Sequence, residues 1–318
     1  MSDNKYKIKS VVARLVTDKP VRKTPYQVKG VIIKDFPEEP IVPLIDGSYR
    51  DQFLYPRVQV KILNEQIYMV GIAEGVDPIL SVVDKLGTMD FGNITFDVLG
   101  ADVEVESDRF MPSNRMLRYK FLTPWIALNE ANLMKYKQLF GDDRLKFLTR
   151  LLSHNIVFLA REMGLELETK IYTQLNLDSL YPKIVDDGQM GAFEGDFQTN
   201  FMLPNFLGVG NSITKGYGVF FSHFNPSDFS FDLAELQRDS RSAIAEKLPE
   251  NWELEGVEPK DVPNSHRRKR QTKKNSSPKT PEEPNFNKKM KKKTDSLSSP
   301  RVEEEPNYNK LKYHSRKR

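Results

Sequence analysis

The chain has 318 residues, with 48 Lys and Arg against 44 Asp and Glu, four His and no Cys. Without cysteine there is no disulfide scaffold, no thiolate chemistry and no Cys-based zinc site. The net charge of +4 hides a division: residues 264–318 hold 18 Lys and Arg against 6 Asp and Glu, leaving 30 against 38 for residues 1–263. An acidic body therefore carries a basic tail. Apolar runs such as Ile156–Ala160 fall far short of the roughly 18–20 residues of a membrane span. Met1–Lys7 lacks the apolar core of a signal peptide. These features point to a soluble cytoplasmic protein with no membrane partner.

In chain order, Ile8–Thr17 is rich in β-branched residues and reads as a strand. A connector follows. Val58–Leu63 alternates, turns at Asn64-Glu65 and returns over Gln66–Ile72 as a hairpin. Asp77 as N-cap and Pro78 at the first helical position open a short helix. Ile94–Leu99 is the next strand, and the order fits a ferredoxin-like βαββαβ unit. In the second block, Arg118–Leu122 reads as a strand and Asn129–Leu139 as a helix. Asp143–Met163 carries Leu145, Leu148, Leu152, Ile156 and Leu159 at helical spacing before Gly164. Glu166–Thr173 and Phe193–Leu203 read as strands, and Asp228–Leu248 as a last helix.

The tail begins near Asp261 and is rich in Lys, Ser and Pro, a composition that cannot repay the entropy of ordering. Within it, residues 276–289 and 298–311 repeat at a period of 22, each followed by basic residues. Phe286 and Tyr308 are spaced among the cations, a pattern that suits stacking plus phosphate contacts. Two copies are too few for a solenoid; they read as a duplicated linear binding motif. The expected division is thus 1–110, 111–250 and a disordered basic tail over 251–318.

Between the last strand and the last helix lies Leu203-Pro-Asn-Phe-Leu-Gly-Val-Gly-Asn-Ser-Ile-Thr-Lys-Gly-Tyr-Gly-Val219. Gly208, Gly210, Gly216 and Gly218 permit close backbone approach to a phosphate, and Lys215 adds charge. The spacing is neither a dinucleotide fingerprint nor a P-loop. A glycine-rich hairpin with positive φ angles explains the same residues equally well.

A strand ending in Leu-Pro, then Gly-x-Gly, a polar stretch with one cation, and Gly-Tyr-Gly resembles the C-terminal loop of the RAMP superfamily of CRISPR-associated RNA-binding proteins. Tyr55-Pro-Arg-Val-Gln-Val-Lys61, Phe121-Leu-Thr-Pro-Trp-Ile-Ala-Leu-Asn129 and Leu151–Ala160 are similar to the branch that cuts precursor CRISPR RNA, the Cas-six type, subtype b. The resemblance implies an α+β protein of tandem ferredoxin-like (RAMP, RRM-like) domains. It also implies recognition of CRISPR repeat RNA, effector-complex partners, and metal-independent cleavage by 2′-hydroxyl attack, with no cofactor and no metal site.

In that branch histidines lie shortly before the Tyr-Pro-x-Val-Gln strand. Pro40–Tyr49 has none, and the first histidine is His154. Lys34, for positive charge, and Tyr49 or Tyr55, to orient or donate a proton, are the catalytic candidates left by that reading, with Asp46 as an acceptor and an ordinary solvated loop as the plain alternative. His154 reads as a helix histidine, and His223 follows the glycine segment by five residues. Arg14, Lys19, Arg22 and Lys23 either line an RNA path or are simply solvated. Three readings stay open: a slow endoribonuclease, an inactive member that holds the processed RNA, and an adaptor recruiting partners through its tail.

Overall fold

The computed structural model describes residues 6–185, 191–224 and 256–263. The expected helix over 228–248 and the repeats of the tail lie outside these residues. The first half runs β1 (Ser10–Thr17), α1 (Pro25–Asp35), a single turn α2 (Val42–Ile45), β2 (Val58–Leu63) and β3 (Gln66–Ile72). It continues with α3 (Val76–Val83), β4 (Thr88–Asp90) and β5 (Thr95–Glu106). The sheet order is β2-β3-β1-β5-β4, all pairs antiparallel. Without the short edge strand β4 this is the ferredoxin-like order. Val11, Ala13, Leu15, Val58, Val60 and Met69 project from one face of the sheet into a core with Val28 and Ile32 of α1 and Ile79 and Val82 of α3.

Two local features depart from the sequence reading. The connector holds α1, whose start is a capping box: Thr24 Oγ1 accepts from Gln27 N–H at 3.3 Å, Gln27 Oε1 accepts from Thr24 N–H at 2.9 Å, and Pro25 follows the cap. The α3 helix begins one residue before Asp77, with Gly75 at its N-cap and no side-chain cap. A Cβ on Gly75 would lie 2.0 Å from Arg57 O, so this contact with the entry to β2 fixes the turn. Asp77 then serves the first turn by its charge.

The second half runs β6 (Met111–Phe121), β7 (Trp125–Ile126), α4 (Glu130–Lys137), α5 (Asp142–Glu162), β8 (Ile171–Leu177) and β9 (Lys183–Ile184). It ends with β10 (Gly191–Phe193), β11 (Gly195–Met202), β12 (Phe220–Ser222) and β13 (Gly256–Val257). The main sheet is β12-β6-β11-β8-β13, and β7-β10-β9 form a small one. Through β12 this is again the ferredoxin-like order, with one change: β11 and β12 are joined by the glycine-rich segment 203–219 instead of a helix. The α5 helix covers the sheet, and Ser153 Oγ meets Thr173 Oγ1 at 2.7 Å in the buried contact.

The two halves share a core. Tyr55, Val70 and Ile72 of the first pack among Trp125, Leu203, Leu207 and Val209 of the second. At the seam, Glu162 accepts the N–H groups of Leu54 and Tyr55 at 3.0 and 3.2 Å, and Arg57 Nη2 donates to Glu162 O at 2.6 Å. Arg57 is 4% exposed and also meets Glu74, so this joint holds a buried guanidinium by charge-assisted hydrogen bonds.

Residues 256–263, which the sequence reading assigns to the tail, pack on the second half. Val257 pairs with Ile171, Val257 and Val262 are buried, and Arg161 donates to Val262 O at 2.8 Å. A chain ending at Glu255 should be less stable than one ending at Pro263 by about 3 kcal/mol, the order expected for two buried valines. Chemical denaturation of the two truncated chains checks this.

Candidate nucleic-acid interface

The glycine segment is held from both halves. On one side Tyr55 Oη donates to Gly208 O at 2.8 Å, and Gly208 N–H donates to Gln59 Oε1 at 3.0 Å. On the other, Asn211 N–H donates to Ile126 O and Gly218 N–H to Pro124 O, both at 2.9 Å. Thr123 Oγ1 donates to Gly216 O at 2.9 Å and accepts from Val219 N–H at 3.0 Å. The runs around Tyr55 and Trp125, far apart in the chain, thus brace one loop.

The glycines are demanded by this packing. Gly218 has φ +67, and a Cβ there would sit 2.0 Å from Val209 O; one on Gly210, φ +88, would meet Trp125 Nε1 at 2.7 Å. The amides of Gly208 and Gly218, offered to a phosphate by the sequence reading, donate inside the protein, and Gly216 N–H donates to Ile213 O. Gly210 N–H has no partner among the described residues.

Beneath the loop, a 3-10 turn over Ile213–Lys215 rests on two lysines. Lys61 of β2 donates to Ile213 O at 3.0 Å, and Lys29 of α1 donates to Thr214 O at 3.1 Å. Tyr26 Oη lies 3.4 Å from Thr214 Oγ1, and the Lys29 ammonium lies 4.1 Å from the Tyr26 ring centre. Lys61 is fully buried; burial, and then the Lys29 charge, push its ammonium down to about 7. Burial, and then Arg50, push Lys29 down to about 8. Desolvation disfavours the charged form, and like charges add to it. The result is a concentration of positive charge directly under the turn.

Of the expected residues, Lys215 belongs to this loop. Lys34 does not: it lies 4.0 Å from Asp90 of β4, at the edge of the sheet opposite β2. Five residues along a helix is about 140° of rotation, so Lys29 and Lys34 cannot face the same way. Tyr49 is 42% exposed and stands edge-on to Phe53 at 6.1 Å. Its neighbour Arg50 is the residue of that segment that acts on Lys29. Asp46 closes a local turn with Ser48. Arg14 pairs with Asp102, Arg22 with Glu65 and Lys19 with Asp18. Lys23 donates to Asn93. His154 is half-buried on α5, and His223 is exposed beyond β12. Lys29 and Lys61 were not among the sequence candidates. For Lys29 the signal was the Thr24–Gln27 capping box, which puts it on a helix; for Lys61 there was none, because Val-Lys-Ile in an alternating strand reads as one solvated position.

Two family models match the chain: the Cas6b N-terminal domain over residues 6–109 and the Cas6b C-terminal domain over residues 111–222. The chain belongs to the Cas6b family. A crystal structure of Cas6b is 28% identical with a TM-score of 0.56, the match covering 68% of this chain and 99% of that one. A second, of CRISPR RNA processing endoribonuclease Cas6b, shares the fold at 24% identity and a TM-score of 0.51, covering 68% and 99%. The protein MJ0978 of Methanocaldococcus jannaschii is 33% identical over 124 residues, which is 39% of this chain and 84% of that protein. The Cas6b matches end at Ser222, so they take in the whole glycine loop and all of its braces.

The buried ammonium of this Cas6b chain has a measurable signature. An unfolded lysine titrates at about 10.4, whereas folded Lys61 titrates at about 7. Between those values the unfolded chain binds more protons, so the penalty of burying Lys61 is complete below pH 7 and fades as pH rises. The stability of wild type minus that of Lys61→Met should therefore increase from pH 7 to pH 10, with a slope of up to about 1.4 kcal/mol per pH unit. Urea denaturation of both proteins across that range measures it.

Proposed function

We propose that this chain binds CRISPR repeat RNA across the glycine loop and cleaves it without a metal ion. The observation that carries the reading is the convergence on one loop of the two family-bearing runs around Tyr55 and Trp125 with the Lys29–Lys61 pair. In the reaction the 2′-oxygen forms a bond to the adjacent phosphorus, the bond from phosphorus to the 5′-oxygen breaks, and a 2′,3′-cyclic phosphate remains. Charge develops on the phosphorane oxygens and on the leaving oxygen, and preorganised cations there lower the barrier. Lys29, 6% exposed beneath the turn, holds a proton at neutral pH that it gives to the 5′-oxygen once the RNA is seated. Lys61 has no exposed surface; it positions the loop and adds field. With no histidine at the loop among the described residues, the 2′-hydroxyl proton passes to solvent base. Cleavage is accordingly slow, because a positioned base is worth about 10²–10⁴-fold.

A time course on cognate repeat RNA in EDTA, scoring cyclic phosphate ends, tests this. Lys29→Ala should cut the rate by about 10²-fold or more, and Lys34→Ala should leave it nearly unchanged. The wild-type rate should rise with pH and then bend over near pH 8 as Lys29 loses its proton. Retention of RNA with no product would leave the reading in which the chain only holds RNA. Full activity in Lys29→Ala would remove this residue from the chemistry.

A further inference from the structure

One cluster lies outside the glycine loop and has no part in the proposed chemistry. The Arg144 guanidinium is within cation–π reach of three rings: Tyr136 at 5.2 Å, Tyr181 at 5.4 Å and Phe140 at 5.8 Å. Its Nε donates to Leu139 O at 2.7 Å, and Tyr136 Oη donates to Leu180 O at 2.6 Å, so the arginine and the inner ring are fixed. The two outer rings are not buried: Phe140 and Tyr181 are each 76% exposed. Large rings within reach of a fixed arginine and left open to solvent add little to a core.

The cluster is tied to the glycine loop. Tyr217 Oη donates to Val185 O at 2.9 Å, just past β9. From there β9 pairs with β10, β10 with β7, and Ile126 of β7 accepts the Asn211 amide. Tyr181 precedes β9 by two residues, so Tyr181 and the loop are linked through one small sheet. Lys135, Lys137 and Lys146 flank them on α4 and α5, while Asp142 and Asp143 oppose that charge. We propose that Phe140, Tyr181 and Arg144 form a stacking platform for unpaired bases of the RNA strand as it leaves the glycine loop. Every base has a π face, and aromatic rings with an arginine bind single strands by stacking with little regard to sequence. The inference rests on the proposed RNA-binding reading and names where a flank of that RNA lies.

The experiment is fluorescence anisotropy on repeat RNA with and without its single-stranded flanks. Phe140→Ala and Tyr181→Ala should each weaken binding of the flanked RNA about five- to hundred-fold, with an unchanged salt slope, because neither removes a charge. On RNA trimmed of the correct flank, wild type and variants should bind alike. Both variants should melt as wild type does, since the rings are exposed. Equal affinity of variants and wild type for every flanked RNA overturns the platform and leaves the loop reading standing. A change in oligomeric state with unchanged RNA affinity overturns it in favour of a contact between copies. Failure of wild type to bind any RNA overturns both readings.

Discussion

An ammonium group with no water around it needs something to hold it, and Lys61 has the carbonyl of Ile213. Taking a cation out of water costs several kcal/mol, and one neutral carbonyl does not return it all. The depressed titration of Lys61, and that of Lys29 beside it, record the balance. The fold holds this arrangement because the loop cannot lie elsewhere: its glycines fit only against Val209, Trp125 and Ile126, and its ends are fixed in β11 and β12. Any anion brought to the turn would favour the protonated lysines, so its binding and their protonation would be linked.

The joint between the halves serves the same end. Lys29 and Lys61 come from the first ferredoxin-like half, and the loop from the second. Their register depends on how those halves meet. Arg57 and Glu162 fix that meeting with side-chain-to-backbone hydrogen bonds to charged groups, which are stronger than neutral ones. Thr123 to Ala127 then hold the loop from the other side. The site is thus preorganised by backbone hydrogen bonds and buried side chains rather than by a flexible basic surface.

Much of this was legible from pattern. The hairpin over residues 58–72, the long helix from about residue 142 and the glycine segment stand where the alternation, the three- and four-residue steps and the glycines put them. These are local signals, and no packing overrides them. The runs around Tyr55 and Trp125 were recognised as marking the family, and both prove to touch the loop. The chemistry was less legible. Lys34, a candidate because it precedes the segment lacking histidine, lies beside Asp90, and helical phase separates it from Lys29. Lys61 looked solvated because the strand alternates, yet the loop covers the polar face of β2 and buries Gln59 and Lys61 alike.

By itself the sequence determined the acidic body and basic tail, the absence of thiol chemistry, the ferredoxin-like order of elements and the need for glycine at a tight, close-approach loop. Each follows from composition or from the spacing of residues near one another in the chain. Only the tertiary structure decided which cations meet that loop, which glycine amides stay free, and that Phe140 and Tyr181 share one arginine. Those outcomes depend on contacts between residues such as Lys61 and Ile213, or Arg144 and Tyr181, that lie far apart in the chain. Burial and like-charge repulsion, which set what a lysine can do, exist only once the chain has folded.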